Sequence, residues 1–338
     1  ICKNGSSSSD AAPKSIGSAS VAAMRLAAID CGTNTAMLLV ADLFPDQTPR
    51  LCPVADFLEM PRLGQDLDRT GRLHPDAIAR TLAAISRQID RAKELKVDRL
   101  VIVGTESLRA AQNSDELLSA LAKTGVELRV ISGDDEARLA FLSVSESLPL
   151  PASGRRSVLD IGGGSTELIV GGHAPDRFAS VKIGSVRLHE RFIFHDPPTP
   201  QEIASVTAAI DEGLSKLPQA EGELVALAGT ATTVAAIHLG MTSYDGKKVD
   251  GLRIPTARLR DVILDLGRRT VAERCQLPGL DPRRADVIFA GALILLRAAE
   301  RSNVSDVVVS DRGVRFGVLE ELARAAEEKS RPKPLGQG

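Results

Sequence analysis

Apolar residues along this chain alternate between two spacings. Runs such as Leu100-Val101-Ile102-Val103 and Val307-Val308-Val309 are short and β-branched, which predicts buried strands. Leu82, Ile85, Ile89 and Ala92 instead recur at helical spacing and give the stretch from Pro75 to about Leu95 one apolar face. On this basis the first half runs strand 25–31, strand 36–43, strand 50–59, the helix from Pro75, strand 99–104, a short helical stretch and strand 126–131. Gly133-Asp134-Asp135-Glu136 then opens a helix through about Ser147, its acidic residues in the first turn, where the helix dipole favours them. The second half repeats the order with strands 156–160, 166–171 and 177–183, helices near 184–194 and 200–215, strand 223–228 and a helix from about Thr230. Helices at 256–268 and 283–301, the strand at 307–309 and a last helix from Gly313 to about Glu327 complete it.

The same β-β-β-α-β-α-β order met twice predicts an α/β protein made by duplication. Pro149-Leu150-Pro151-Ala152-Ser153-Gly154 suits a hinge better than an element interior, so lobes are expected at 24–150 and 151–312, with ligand between them.

Composition narrows the partners. A length of 338 residues, 43% hydrophobic and 25% charged, leaves room for two globular cores. The 42 Lys and Arg against 44 Asp and Glu give a net charge of -2, so a polyanion has to be held by local clusters of cations. That balance, with one Tyr and no Trp for base stacking, argues against nucleic acid as a partner. Cys2, Cys31, Cys52 and Cys275 lie far apart with no Cys-x-x-Cys pair, which argues against zinc or a disulfide framework and for a reducing cytoplasm. No segment approaches the ~20 consecutive apolar residues that cross a bilayer, so no membrane partner is expected. Residues 1–23, rich in Ser and Ala, read as a disordered tail or cloning remnant before Met24, and 329–338 as a polar tail. The five histidines show no metal-ligand spacing.

Chemistry concentrates in two turns. Ala28-Ile29-Asp30-Cys31-Gly32-Thr33-Asn34 and Leu159-Asp160-Ile161-Gly162-Gly163-Gly164-Ser165-Thr166 each pass from an apolar run through an aspartate into a glycine-bearing bend and on into another apolar run. Glycine lets the backbone approach a ligand closely, and successive N–H groups in such a bend make a concave anion site. Two of them facing each other would hold a phosphate chain from both sides. A single turn of this kind is an ordinary turn more often than a site; its duplication changes that balance.

These turns, with Gly104-Thr105-x-x-x-Arg109, Ile131-Ser132-Gly133-Asp134-Asp135-Glu136-Ala137, Asp160 through Glu167 and Asp281-Pro282-Arg283-Arg284-Ala285-Asp286, resemble the exopolyphosphatase and guanosine pentaphosphate phosphohydrolase family. The blocks occur in family order from Met24 to about Ala326. The resemblance implies two duplicated ribonuclease-H-like domains around a central cleft, as in the actin, Hsp70 and sugar-kinase superfamily. It also implies Mg²⁺ dependence, hydrolysis of the terminal phosphate of inorganic polyphosphate with pppGpp as a further substrate, and a homodimer. Val307 through Arg315 resembles the final strand and last helix, 313–328, which packs back towards the first lobe. Longer relatives carry an added helical region, so the short two-domain form and a preference for short polyphosphate are expected.

Residue by residue, Glu136 matches the catalytic base; an acidic first helical turn is also what an ordinary capped helix carries. Asp160, Glu167 and Asp30 match the metal and phosphate site, where one or two carboxylates and phosphate oxygens suffice for Mg²⁺. Gly162, Gly163, Gly164 and Ser165 from one lobe, and Gly32, Thr33 and Asn34 from the other, would cradle phosphate oxygens. Thr105 and Arg109 match a phosphate-contacting stretch, and Gly184, Ser185, Gly229 and Thr230 offer further donors. Many relatives have an arginine where this chain has Met37; Lys182, Arg187, Lys247 and Lys248 are the candidate substitutes. Two other readings stay open, a phosphotransferase that uses ATP and a non-catalytic sensor of polyphosphate or a guanosine alarmone.

Overall fold

The computed structural model describes residues 24–45 and 50–330; the expected tail at 1–23, Cys2 and residues 331–338 lie outside the described residues. In the first lobe β1 (Met24–Cys31), β2 (Ala36–Leu43), β3 (Leu51–Glu59), β4 (Arg99–Gly104) and β5 (Glu127–Val130) form a sheet in the order β3-β2-β1-β4-β5. In the second, β6 (Arg156–Ile161), β7 (Thr166–Gly171), β8 (Pro175–Val181), β9 (Glu223–Leu227), β10 (Leu252–Pro255) and β11 (Asp306–Val309) run β10-β11-β9-β6-β7-β8. Pairings match as well: β1 lies antiparallel to β2 and parallel to β4, and β6 lies antiparallel to β7 and parallel to β9. The duplication expected from the order of elements is thus a duplication of sheet topology.

Register sets the chemistry. Asp30 pairs with Met37 across β1 and β2, and Asp160 pairs with Glu167 across β6 and β7. Directly opposed residues of an antiparallel pair project from the same face, so the seven-residue separation of Asp160 and Glu167 places both carboxylates on one side of the sheet.

One apolar core lies within each lobe and a third joins them. The joining core takes Leu26, Ala28 and Leu39 from the first sheet and Val158, Ile169 and Val225 from the second. Between them lie the helices Gly133–Ser145 and Val314–Ser330. Gly317 allows these helices to touch, because a Cβ there would lie 2.2 Å from the Leu139 carbonyl oxygen. The last helix is fastened to the first lobe by Arg50, whose Nε donates to Glu320 Oε2 at 2.7 Å, and by Arg315, whose Nη1 donates to Asp56 Oδ1 at 2.6 Å. Among the described residues no helix is long and apolar enough to cross a membrane.

Some elements differ from the sequence expectations. The helix expected over 283–301 begins at Ile288, because Pro282–Arg284 forms a separate turn capped by Asp281. The helix expected from Thr230 starts at Ala228. Strand β10 and the short helices Leu67–Thr70, Gly246–Val249 and Val271–Arg274 carry too few residues to show a period.

Leu319 is fully buried in the joining core. Leu319→Ala is expected to cost about 2–5 kcal/mol of stability, read as a lowered urea midpoint at unchanged slope; an unaltered midpoint would show that the last helix does not help to hold the lobes together.

Candidate active site

The two glycine turns meet. A Cβ on Gly163 would lie 3.1 Å from Thr33 Cβ, and one on Gly164 would lie 3.1 Å from Thr33 Oγ1, so the first-lobe turn touches the second. Gly184 packs over the second turn so closely that its Cβ would fall 2.5 Å from the Gly163 carbonyl oxygen. The carbonyls of Gly162 and Gly163 accept from Ser185, Val186 and Arg187 at the start of helix Ser185–Phe192, which fixes the turn to that helix. The amides of Thr33, Asn34, Gly163 and Gly164 have no acceptor among the described residues. Open amides in two apposed bends are the donor array that a phosphate chain requires.

These bends line a cleft of about 670 Å³. Asp30, Gly32, Thr33, Asn34, Thr105, Glu136 and Asp160 border it, with Gly162, Gly163, Gly164, Ser165, Ser185, Gly229 and Thr230. Gly184, Glu167 and Arg109 do not. Gly184 lies beneath the second turn, and Glu167 is 1% exposed beside Asp160, with Ser180 Oγ donating to its Oε1 at 2.5 Å. Arg109 lies behind Glu136: its Nη1 donates to Glu136 Oε2 at 2.9 Å and to the Ile131 carbonyl at 2.7 Å, and its Nη2 donates to Glu106 Oε2 at 3.3 Å. The side chain expected to contact phosphate therefore holds the carboxylate expected to act as base.

Glu136 occupies the first turn of its helix, where Ser132 Oγ accepts from the Asp135 amide at 3.1 Å and caps the end. Its carboxyl is pushed well above the usual range, first by burial and then by the nearby charges of Glu167 and Asp160, with Arg109 opposing. Burial raises Asp160 as well, with Glu167 and Asp30 adding to it, and burial raises Glu167 against its serine hydrogen bonds. Asp30 is raised to about 6 by burial, partly offset by Arg315. Four carboxyl groups converging in a dry place form an acidic floor that resists full ionisation.

That floor suits a cation. Among the described residues no cluster of three or more Asp, Glu, His or Cys side chains is arranged to enclose a metal ion by itself. Mg²⁺ does not require one, since it is commonly held by one or two carboxylates with water and phosphate oxygens completing its shell. Among the described residues Asp30 Oδ1 is buried with no hydrogen-bond partner, an oxygen available as a ligand at that place. The donor chemistry therefore fits Mg²⁺.

Several lining residues had no role assigned from the sequence. Arg283, Arg284 and Arg315 supply the cations of the cleft, and Asp56, Glu106, Tyr244 and Asp311 also border it. Lys182, Arg187, Lys247 and Lys248, the candidate replacements for a cation at Met37, do not line it, whereas Met37 does. Arg315 is tied to Asp56 and Arg283 to Asp281. Arg284 has no hydrogen bond or ion pair from its side chain among the described residues and lies over Gly229, whose Cβ would fall 2.1 Å from Arg284 Nη1. The signal was present in the Asp281–Asp286 and Val307–Arg315 blocks, but which arginine stays unpaired depends on packing.

The raised carboxyls carry a consequence for stability. Between its ordinary 3.8 and about 6, Asp30 holds a proton in the folded chain that the unfolded chain has released. Its stabilising contribution is complete at the acid end and is lost as pH rises through about 6. Asp30→Asn in EDTA is thus expected to raise the thermal midpoint at pH 8 and to leave it nearly unchanged at pH 4. Equal midpoints for variant and parent at both pH values would contradict the buried-charge account.

Residues 50–326 match the model of the Ppx/GppA phosphatase family. A protein of Mycobacterium tuberculosis named Exopolyphosphatase 2 is 36% identical over 319 residues, 90% of this chain and 100% of that protein. The crystal structure of the Aquifex aeolicus Ppx/GppA family member superposes with a TM-score of 0.76 at 32% identity, covering 91% of this chain and 99% of that one. An exopolyphosphatase from Cytophaga hutchinsonii superposes at 0.80 with 25% identity, covering 89% and 98%. With its fold, its paired turns and its sequence all in agreement, this chain belongs to the Ppx/GppA phosphatase family, and it is a phosphohydrolase.

Proposed function

We propose that this protein is a Mg²⁺-dependent exopolyphosphatase that hydrolyses the terminal phosphate of inorganic polyphosphate. The observation that carries this reading is the buried carboxylate of Glu136, raised in proton affinity, facing a cleft walled by two bends with open amides. Similarity to a protein named Exopolyphosphatase 2 supports polyphosphate as the substrate.

The terminal phosphate is taken between the two bends, with Ser165 and Thr33 hydroxyls beside it. Glu136 accepts a proton from a water molecule as that oxygen attacks the terminal phosphorus, and the bridging P–O bond opposite breaks. Orthophosphate and a chain shorter by one unit leave, the electron pair going to the departing phosphate oxygen. Arg109 fixes the orientation of Glu136, and the amides balance charge that develops on the transferred group. Asp30, Asp160 and Glu167 are the residues that would hold Mg²⁺, which when bound supplies positive charge to the phosphate oxygens. Unpaired Arg284 is the cation for phosphates further along the chain.

A nucleotide substrate is the second reading. Met241, Tyr244 and Leu280 also line the cleft and would offer apolar and aromatic surface to the base of pppGpp, with Thr232 and Thr233 hydroxyls beside them.

Phosphate release measured on polyphosphate, pppGpp and ATP, each with Mg²⁺ or EDTA, separates the readings. Mg²⁺-dependent release from polyphosphate without ADP or an acceptor is expected, and phosphate transfer that requires ATP would identify a phosphotransferase instead. Glu136→Gln should lower turnover by about 10²–10⁴-fold while polyphosphate binding persists; unchanged release would remove Glu136 as the base. Arg284→Ala is expected to raise KM by roughly tenfold or more, the loss of one charged contact, with a smaller change in kcat. A KM equal to the parent's would take Arg284 out of the substrate path.

A further inference from the structure

A line of alternating charges crosses from one lobe to the other and ends on Glu136. Asp68 of the first lobe pairs through Oδ1 with Arg187 Nε of the second at 3.3 Å. Arg187 Nη2 lies 3.6 Å from Glu106 Oε1, back in the first lobe. Glu106 Oε2 accepts from Arg109 at 3.3 Å, and Arg109 donates to Glu136 Oε2 at 2.9 Å. Arg187, Glu106 and Glu136 have side chains only 10%, 13% and 12% exposed. Arg187 is the sole second-lobe member of the line, seated between two carboxylates of the first.

We propose that Arg187 and Glu106 are positioning residues that set the carboxylate of Glu136 across the lobe interface, through Arg109. This rests on the reading of Glu136 as the base. Arg109 is shared between two carboxylates, Glu136 and Glu106, and its guanidinium orients Glu136 only to the extent that Glu106 does not draw it away. Arg187 supplies the second cation that satisfies Glu106. The Arg187–Glu106 contact at 3.6 Å is an ion pair, and among the described residues Glu106 Oε1 is buried without a hydrogen-bond partner, so Arg187 is the cation that offsets its charge. Glu106 also touches the phosphate turn, since a Cβ on Gly164 would fall 3.2 Å from its Cγ. The turn that would receive phosphate, the lobe contact and the base are therefore joined by one side chain. Lobe approach is itself held elsewhere by Arg62, whose guanidinium grips both Asp286 oxygens at 2.7 and 3.0 Å, so removal of Arg187 leaves the lobes tied. Neither Arg187 nor Arg109 borders the main cleft, whereas Glu106 does, and Arg187 lines a small adjoining cavity with Thr33, Gly164 and Glu106; the split between kcat and KM therefore distinguishes positioning from direct contact.

The test is the split between kcat and KM for phosphate release from inorganic polyphosphate by the full chain. Arg187→Gln and Glu106→Gln are each expected to lower kcat roughly 10- to 100-fold, the scale of a misplaced reacting group, with KM within about threefold of the parent. Arg187→Lys, which keeps the charge, is expected to recover part of the loss. The double variant should fall no further than the worse single one, because the two act as a unit. In a Glu136→Gln background, Arg187→Gln should change nothing in the residual rate. Thermal midpoints identify any variant that fails to fold; in that event the near-isosteric Glu106→Gln carries the same expectation. A raised KM with kcat unchanged, losses that multiply in the double variant, or a full effect in the Glu136→Gln background would each overturn the proposal. Turnover that survives Glu136→Gln alone is a different failure, that of the base itself.

Discussion

Everything chemical in this molecule depends on keeping four carboxylates, Asp30, Glu136, Asp160 and Glu167, dry and close together. Burial raises the proton affinity of all four, and the neighbouring carboxylates raise Glu136 and Asp160 further. Isolated charges are not tolerated in such a place, so the arrangement persists only because the surrounding fold over-determines it. Burial first, and then the charges of Glu167 and Asp160, raise the proton affinity of Glu136, the residue proposed as the general base.

The over-determination comes from the apolar core that joins the lobes. Two helices, Gly133–Ser145 and Val314–Ser330, lie between the sheets; one carries Glu136 in its first turn and the other carries Arg315, whose charge lowers the proton affinity of Asp30. Their contact at Gly317 and Leu139 is backbone against backbone. Packing that holds the lobes together thus also fixes the two side chains of opposite sign that border the cleft from those helices. Arginine pairing does the finer sorting. Arg109 is committed to Glu136 and Glu106, Arg315 to Asp56, Arg283 to Asp281, and Arg284 has no side-chain hydrogen bond or ion pair among the described residues.

Much of this was legible in the chain. Alternating short β-branched runs gave the strands, repeated order gave the duplication, and an aspartate entering a glycine bend marked both turns that line the cleft. Other features were out of reach for definite reasons. Strand β10 has four residues, among them an arginine and a proline, and exists because an exposed edge of β11 accepts it. Arg109 was expected on the substrate; its side chain instead turns to Glu136 and the Ile131 carbonyl, a choice set by which acceptors lie within reach after folding.

By itself the sequence determined the elements, their duplicated order and the residue types at the two bends, because periodicity, glycine freedom and helix-end charge act over a few neighbouring positions. Only the tertiary structure decided that Thr33 would press on Gly163 and Gly164, that Asp160 and Glu167 would share a face, and which arginine would remain unpaired. Those outcomes depend on register, desolvation and ion pairing between residues far apart in the chain, interactions that have no local signature until the lobes have closed on one another.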